Sequence, residues 1–142
     1  MLNIPNLRTK AYEEALKKYL TLVIKESKIA GLILYGSLAR GFEKPYPESD
    51  IDVLVVAEGI PKDLFERRMM TLKFKEDCPL IEDMWITPEE FIDAVRGGWG
   101  LILDALEDGI IIYDKYGIIA NAKNIVRSSF KRVGRIWILK TS

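Results

Sequence analysis

Four short apolar runs constrain the fold of this chain. Each is bounded by Gly, Pro or acidic residues, and this length and setting are typical of buried β-strands. The runs lie at 30–36, 50–57, 79–87 and 110–114. Longer amphipathic segments separate them, so the strands alternate with helices. This order predicts an α/β (α+β) fold in which helices pack over a small mixed sheet of about four strands.

Apolar residues at helical intervals predict the helices around this sheet. An N-terminal helix is expected over about 8–27, another over 61–77, and a third from Thr87, which begins a capping-box pattern. A basic C-terminal helix is expected over about 121–139. Its apolar stripe consists of Val126, Phe130, Val133 and Trp137. We expect residues 1–142 to form one domain, with a core at about 30–114.

The composition excludes several classes of chemistry. The chain has no histidine, so a Ser-His-Asp triad, a His general base and a His-ligated zinc site are all excluded. The single cysteine, Cys78, excludes an intramolecular disulfide. The sequence contains no uncharged apolar run long enough to predict a membrane span, and its N-terminal residues do not resemble a signal peptide. A cytoplasmic location is therefore expected.

Two acidic residues interrupt the start of the second apolar run. Asp50 and Asp52 lie two positions apart, so in a strand their side chains face the same side, about 7 Å apart. Two ionised carboxylates on one face repel each other. A hard divalent cation such as Mg²⁺ relieves that repulsion, since it prefers oxygen ligands and shares phosphate oxygens with substrates. The pair therefore indicates a metal–phosphate site.

A Gly-Ser pair ends the preceding run. Gly36 permits close approach of the backbone to a ligand, and Ser37 lies at the predicted start of a short helix, where free N–H groups favour phosphate. If the first two strands are neighbours, Gly36 and Ser37 face Asp50 and Asp52. This arrangement would place a triphosphate opposite its metal ligands.

The combined pattern resembles a known family. Gly36-Ser37, twelve intervening residues and then Asp50-Ile51-Asp52 are similar to the nucleotidyltransferases of the polymerase-beta-like superfamily, and most of all to the small minimal nucleotidyltransferases of prokaryotes. The stretch Ala39-Arg40-Gly41 and Ser49 also resemble that family. The resemblance covers about 30–114. It implies metal ligation by Asp50 and Asp52, and nucleotide contacts from Gly36, Ser37, Arg40 and Ser49.

The same family uses a third carboxylate on a later strand. Here Glu82 and Asp83 are the candidates, and because adjacent residues of a strand face opposite sides, only one of them can face the metals. Counting back from Thr87 favours Glu82, whereas the shorter side chain of Asp83 suits a compact metal site. Both remain candidates from the sequence, with Glu82 preferred as the metal ligand.

The resemblance implies a Mg²⁺-dependent enzyme that transfers an NMP from an NTP to a hydroxyl acceptor. Two Mg²⁺ ions, or Mn²⁺, are expected, with ATP as the nucleotide. The acceptor is expected on a partner protein: small family members often pair with a helical HEPN-type protein in toxin–antitoxin modules, and a homodimer is the other expectation. The alternative is a catalytically silent module of the same fold that binds a nucleotide or a partner.

Charge is unevenly distributed along the chain. Residues 1–114 hold all 21 acidic residues, whereas residues 115–142 hold seven Lys and Arg and no acidic residue. A basic segment can bind nucleic acid, but it can equally be a solvated helix face that offsets an acidic body. No nucleic-acid reading motif accompanies it, so we place nucleic-acid binding last among the alternatives.

Overall fold

The computed structural model describes residues 2–141 as six helices, one 3₁₀ turn and six strands. The helices are α1 Lys10–Glu26, α2 Ser37–Arg40, α3 Leu64–Thr71, α4 Pro88–Arg96, α5 Gly100–Asp108 and α6 Ile118–Ser129, with the 3₁₀ turn at Leu72–Lys75. The strands are β1 Lys28–Tyr35, β2 Ile51–Glu58, β3 Ile81–Ile86, β4 Ile110–Asp114, β5 Phe130–Val133 and β6 Ile136–Leu139.

The four predicted strands form one mixed sheet in the order β3-β2-β1-β4. β1 is antiparallel to both β2 and β4, and β2 is parallel to β3. As a result, the end of β1 and the starts of β2, β3 and β4 lie along one edge of the sheet. The predicted fold class is confirmed, and this edge carries most of the residues that the sequence singled out.

Helices cover both faces of the sheet. α1 packs on one face, where the alternate residues Leu34, Val53 and Ile81 are fully buried with its apolar side chains. On the other face, α4, α5 and α6 enclose Ile33 and Leu54. Because both faces are buried, the strands are almost continuously apolar. Among the described residues, no helix combines the length and the apolar character needed to cross a bilayer.

The prediction of a single helix over 121–139 is wrong in its second half. α6 ends at Ser129, and β5 and β6 then form an antiparallel hairpin with Val133 opposite Ile136. The turn between them contains Gly134 with φ 63°, a left-handed conformation that glycine adopts readily. Phe130 is buried but Val133 is half exposed, so the apparent apolar stripe does not continue along one helix face.

We predict that Gly134→Ala lowers the free energy of unfolding by about 1 kcal/mol, because alanine is strained at positive φ. In a helix, the same substitution would raise stability by a similar amount. Urea unfolding of the variant and the wild type measures the sign of this change in the free energy of unfolding. Gly100→Ala, at the first residue of α5 with open space around its added Cβ, is the matched control and should be neutral or stabilising. If Gly134→Ala is more stable than the wild type, the assignment of residue 134 to a hairpin turn is contradicted.

Candidate active site

Register brings one residue from each of three strands into a row at the shared edge. Tyr35 of β1 lies opposite Asp52 of β2, and Asp52 lies beside Glu82 of β3. Ile51 and Val53, on either side of Asp52, are buried on the α1 face, so Asp52 faces the opposite side. The same alternation directs Glu82 to that side. The sheet therefore places Asp52 and Glu82 next to each other.

Gly36 allows the backbone after β1 to approach Asp52 closely. Its φ of 77° and ψ of −155° belong to a region that is accessible almost only to glycine. A Cβ at this position would overlap Oδ2 of Asp52 and lie 3.0 Å from its Cγ. Gly36 at the end of β1 and Asp52 on β2 are thus in direct contact.

The Asp52 carboxyl is strongly affected by its surroundings. Partial burial raises its pKa to about 6, and the negative charges of Asp50 and Glu82 act in the same direction. Asp50 and Glu82 are both exposed at the rim. Three carboxylates that repel one another around a half-buried position form an electrostatic site that favours a cation.

Asp83 has a different role from Glu82, the residue before it on β3. It is buried on the α1 side of the sheet, where it accepts hydrogen bonds from Tyr19 Oη at 2.6 Å, Trp85 Nε1 at 2.9 Å and Arg68 Nη1 at 2.9 Å. Burial alone would raise its pKa, but these hydrogen bonds and the Arg68 charge hold the pKa below its usual range. The sequence offered Asp83 as a candidate catalytic residue. The structure contradicts that candidate role, because Asp83 is buried on the α1 side and serves a structural one.

Ser49 also has a structural role in place of the predicted nucleotide contact. It is buried, and its Oγ accepts a hydrogen bond from the Lys44 N–H at 2.7 Å. Its own N–H donates to Tyr12 Oη at 2.9 Å, and Tyr12 Oη donates to the Lys44 carbonyl. Ser49 thus fixes the polar loop that leads into Asp50.

The two remaining predicted nucleotide contacts lie on α2. Ser37 begins this single turn and is half-buried beside Gly36. Arg40 ends it, is exposed, and has its guanidinium 5.2 Å from the centre of the Phe42 ring. Both residues belong to the shared edge, with Ser37 nearer to the acidic residues.

Sequence reasoning missed Tyr35. It is half-buried on the same face as Asp52, and burial raises its pKa to about 12, with further contributions from the charges of Asp52, Glu82 and Asp83. The sequence did contain a signal. Tyr35 directly follows Leu34, which faces α1, so strand alternation puts Tyr35 on the opposite face, just before Gly36. Tyr35 forms a neutral aromatic wall beside the carboxylates.

The donor set suits a hard divalent cation that shares its coordination with a substrate. Asp50, Asp52 and Glu82 offer only carboxylate oxygens, which Mg²⁺ and Mn²⁺ prefer. Between Leu2 and Thr141, no three acidic or cysteine side chains are grouped closely enough to enclose a metal ion by themselves. Water and phosphate oxygens would have to complete the coordination, as is usual for Mg²⁺.

Comparison with known proteins identifies the class. Residues 16–112 match the family model described as "Nucleotidyltransferase domain", so this chain belongs to that family. Among curated proteins, it is 30% identical over 115 residues to the "Putative protein adenylyltransferase" of Methanocaldococcus jannaschii, covering 78% of this chain and 76% of the relative. The resemblance stated from Gly36, Ser37, Asp50 and Asp52 is thereby confirmed.

Two solved structures align with this chain at lower identity. A toxin–antitoxin complex with AMP-PNP aligns with a TM-score of 0.53 and 16% identity, over 81% of this chain and 83% of the other. A "putative nucleotidyltransferase" from Sulfolobus solfataricus aligns with a TM-score of 0.44 and 20% identity, over 74% and 78% of the two chains. The first of these likenesses supports the nucleotidyltransferase fold.

We predict opposite outcomes for the adjacent acids on β3. Asp83→Ala should lower the free energy of unfolding by about 2–4 kcal/mol, because it leaves the buried Tyr19 hydroxyl and Trp85 N–H without a partner. Glu82→Ala, at an exposed position, should change it by less than about 0.5 kcal/mol. Chemical denaturation of both variants at neutral pH compares them directly. Equal destabilisation by the two substitutions would contradict the assigned faces.

Proposed function

We propose that this protein is a divalent-metal-dependent nucleotidyltransferase that transfers an NMP, with ATP as donor, to a hydroxyl group of a partner protein. The observation that carries the proposal is the row formed by Asp52 and Glu82, with Asp50 close enough to raise the pKa of Asp52. Gly36, packed against Asp52, supports it by bringing the backbone of the Gly-Ser turn next to that carboxylate.

Asp50, Asp52 and Glu82 would hold one or two Mg²⁺ or Mn²⁺ ions, which would polarise the α-phosphate and neutralise the charge that develops on it. The backbone at Gly36 and Ser37 would contact the phosphates, with Arg40 supplying positive charge at the same edge. Tyr35 would exclude water from the inner side of the site. Each of these roles uses a residue placed at the shared edge of the sheet.

The proposed reaction is an in-line displacement. The acceptor oxygen forms a bond to the α-phosphorus, and the bond between that phosphorus and the oxygen bridging to the β-phosphate breaks. Pyrophosphate leaves with that bridging oxygen. Glu82, exposed at the rim, accepts the proton of the acceptor hydroxyl. The acceptor is thus left carrying a nucleoside monophosphate.

The relatives support a nucleotide donor and a protein acceptor. The curated relative carries the name "Putative protein adenylyltransferase", and the solved neighbour is a toxin–antitoxin structure with AMP-PNP. We propose that this chain likewise acts on a protein partner, either a helical HEPN-type toxin that it modifies or a second copy of itself.

A second candidate is a catalytically silent module that binds a nucleotide or a partner. It is favoured by the finding that, within the described part of the chain, no three acidic residues form a ready-made metal group. A module of this kind would bind a nucleotide at Gly36 and Ser37 without releasing pyrophosphate.

We predict that the wild-type protein with Mg²⁺ or Mn²⁺ releases pyrophosphate from ATP more readily than from other NTPs. Glu82→Gln should lower this rate about a hundredfold, because it removes the proton acceptor and one oxygen ligand. The double variant Asp50→Ala/Asp52→Ala should lose both activity and metal-dependent binding of AMP-PNP. Asp77→Asn, at an exposed surface position, is the matched control and should leave both unchanged.

Intact-mass analysis of the candidate partner after incubation with ATP and Mg²⁺ tests the acceptor. One added AMP supports the proposal. Nucleotide binding by the wild type without pyrophosphate release, under either metal and with the partner present, would select the silent module. Equal binding by the wild type and the double variant would contradict the metal–phosphate site.

A further inference from the structure

The C-terminal hairpin lies along α5 in a defined direction. The Phe130 ring packs on Gly98, just before α5, so closely that a Cβ there would lie 2.9 Å from Phe130 Cε1. Trp137 Nε1 donates to Asp104 in the middle of α5 at 2.9 Å, and Arg132 donates to Asp108 at its last turn. The open end of the hairpin therefore lies at the start of α5, and its turn lies at the end.

The end of α5 belongs to the same sheet edge as the candidate active site. Gly109 follows α5, and a Cβ at that position would lie 3.0 Å from the Leu34 carbonyl oxygen. Leu34 pairs with Ile110 and precedes Gly36 by two residues. The hairpin turn, Gly134-Arg135, is thereby directed toward the edge that carries Gly36 and Ser37.

Two guanidinium groups of the hairpin face the Asp108 carboxylate at this end of α5. Arg132 donates to both oxygens of Asp108 at 2.9 Å, and Arg135 Nη1 lies 3.9 Å from Oδ2. The Arg132 hydrogen bonds lower the pKa of Asp108, and the charges of Arg132, Arg40 and Arg135 act in the same direction. Arg40, at the last residue of α2, thus adds to the positive charge that acts on this end of α5.

The charges of Arg40 and Arg135 are not offset by this contact. Asp108 already accepts two well-formed hydrogen bonds from Arg132, whereas the Arg135 side chain is 61% exposed and only loosely associated with it. Arg40 at the end of α2 and Arg135 at the hairpin turn therefore both keep an exposed guanidinium on the side of the molecule that carries this edge. A guanidinium suits phosphate oxygens because its planar set of N–H donors can contact two of them at once.

We propose that Arg135, presented by the hairpin turn and acting with Arg40, binds the β- and γ-phosphates of the nucleoside triphosphate donor. The inference rests on the proposed function and extends the donor site to an element far from the Gly-Ser turn in sequence. Arg132 is a positioning residue in this arrangement: it fixes the hairpin on α5 through Asp104 and Asp108.

The test compares Arg135→Ala with Lys131→Ala, which removes an equal charge from an exposed position on β5 of the same hairpin. Calorimetry measures the binding of AMP-PNP and of AMP in the presence of Mg²⁺. Arg135→Ala should weaken AMP-PNP binding about tenfold and leave AMP binding unchanged, because AMP has no β- or γ-phosphate. Lys131→Ala should change neither, and Arg135→Lys should recover part of the loss.

The outcomes separate this inference from the proposed function. If Arg135→Ala binds AMP-PNP as tightly as the wild type does, the role of Arg135 is overturned and the acidic site is left intact. The same conclusion follows if Lys131→Ala weakens binding as much as Arg135→Ala does. Equal weakening of AMP and AMP-PNP binding also overturns it, since it would show a general loss of the site. Absence of nucleotide binding by the wild type overturns both. Circular dichroism of each variant checks that the hairpin still folds.

Discussion

Repulsion among three carboxylates at one end of the sheet is the constraint on which the site depends. Asp52 is held half-buried by its position in β2, with Asp50 two residues before it and Glu82 beside it on β3. A fold does not gain stability from such an arrangement. The strand register, the glycine at position 36 and the buried Asp83 network all maintain it.

The raised pKa of Asp52 has a direct consequence for stability. In the unfolded chain its pKa is near 4, whereas in the folded protein it is about 6, so folding favours the protonated form. The stabilising contribution of the protonated carboxyl is present below about pH 4 and is lost as the pH rises through about 6. At neutral pH the unliganded site therefore opposes folding, and a bound cation would offset that cost.

Much of this could be predicted from local sequence pattern. Run length and flanking residues identified the four strands, and period-two alternation correctly placed Asp52 on the face opposite Ile51 and Val53. The choice between Glu82 and Asp83 could not be settled in the same way, because it depends on Tyr19, 64 residues away, donating to Asp83. Ser49 was misassigned for a similar reason: its partner Tyr12 lies on α1.

The C-terminal hairpin shows how two patterns can compete. Val126, Phe130, Val133 and Trp137 fit a helical period, yet β-branched and aromatic residues on either side of Gly134-Arg135 also fit a hairpin. Packing of Phe130 on Gly98 and the Arg132–Asp108 contact, both distant in sequence, favour the hairpin. This error concealed the element that brings Arg135 to the edge of the site.

Titration of the Asp52 carboxyl carbon by NMR tests the central claim most directly, because the pKa of Asp52 reports its burial, its repulsion by Asp50 and Glu82, and the relief of both by a cation. The account predicts a pKa of about 6 in the free protein. It also predicts a lower pKa when Mg²⁺ and AMP-PNP are added, since an adjacent cation favours the ionised form. An ordinary pKa near 4 in the free protein, unchanged by metal and nucleotide, would contradict it.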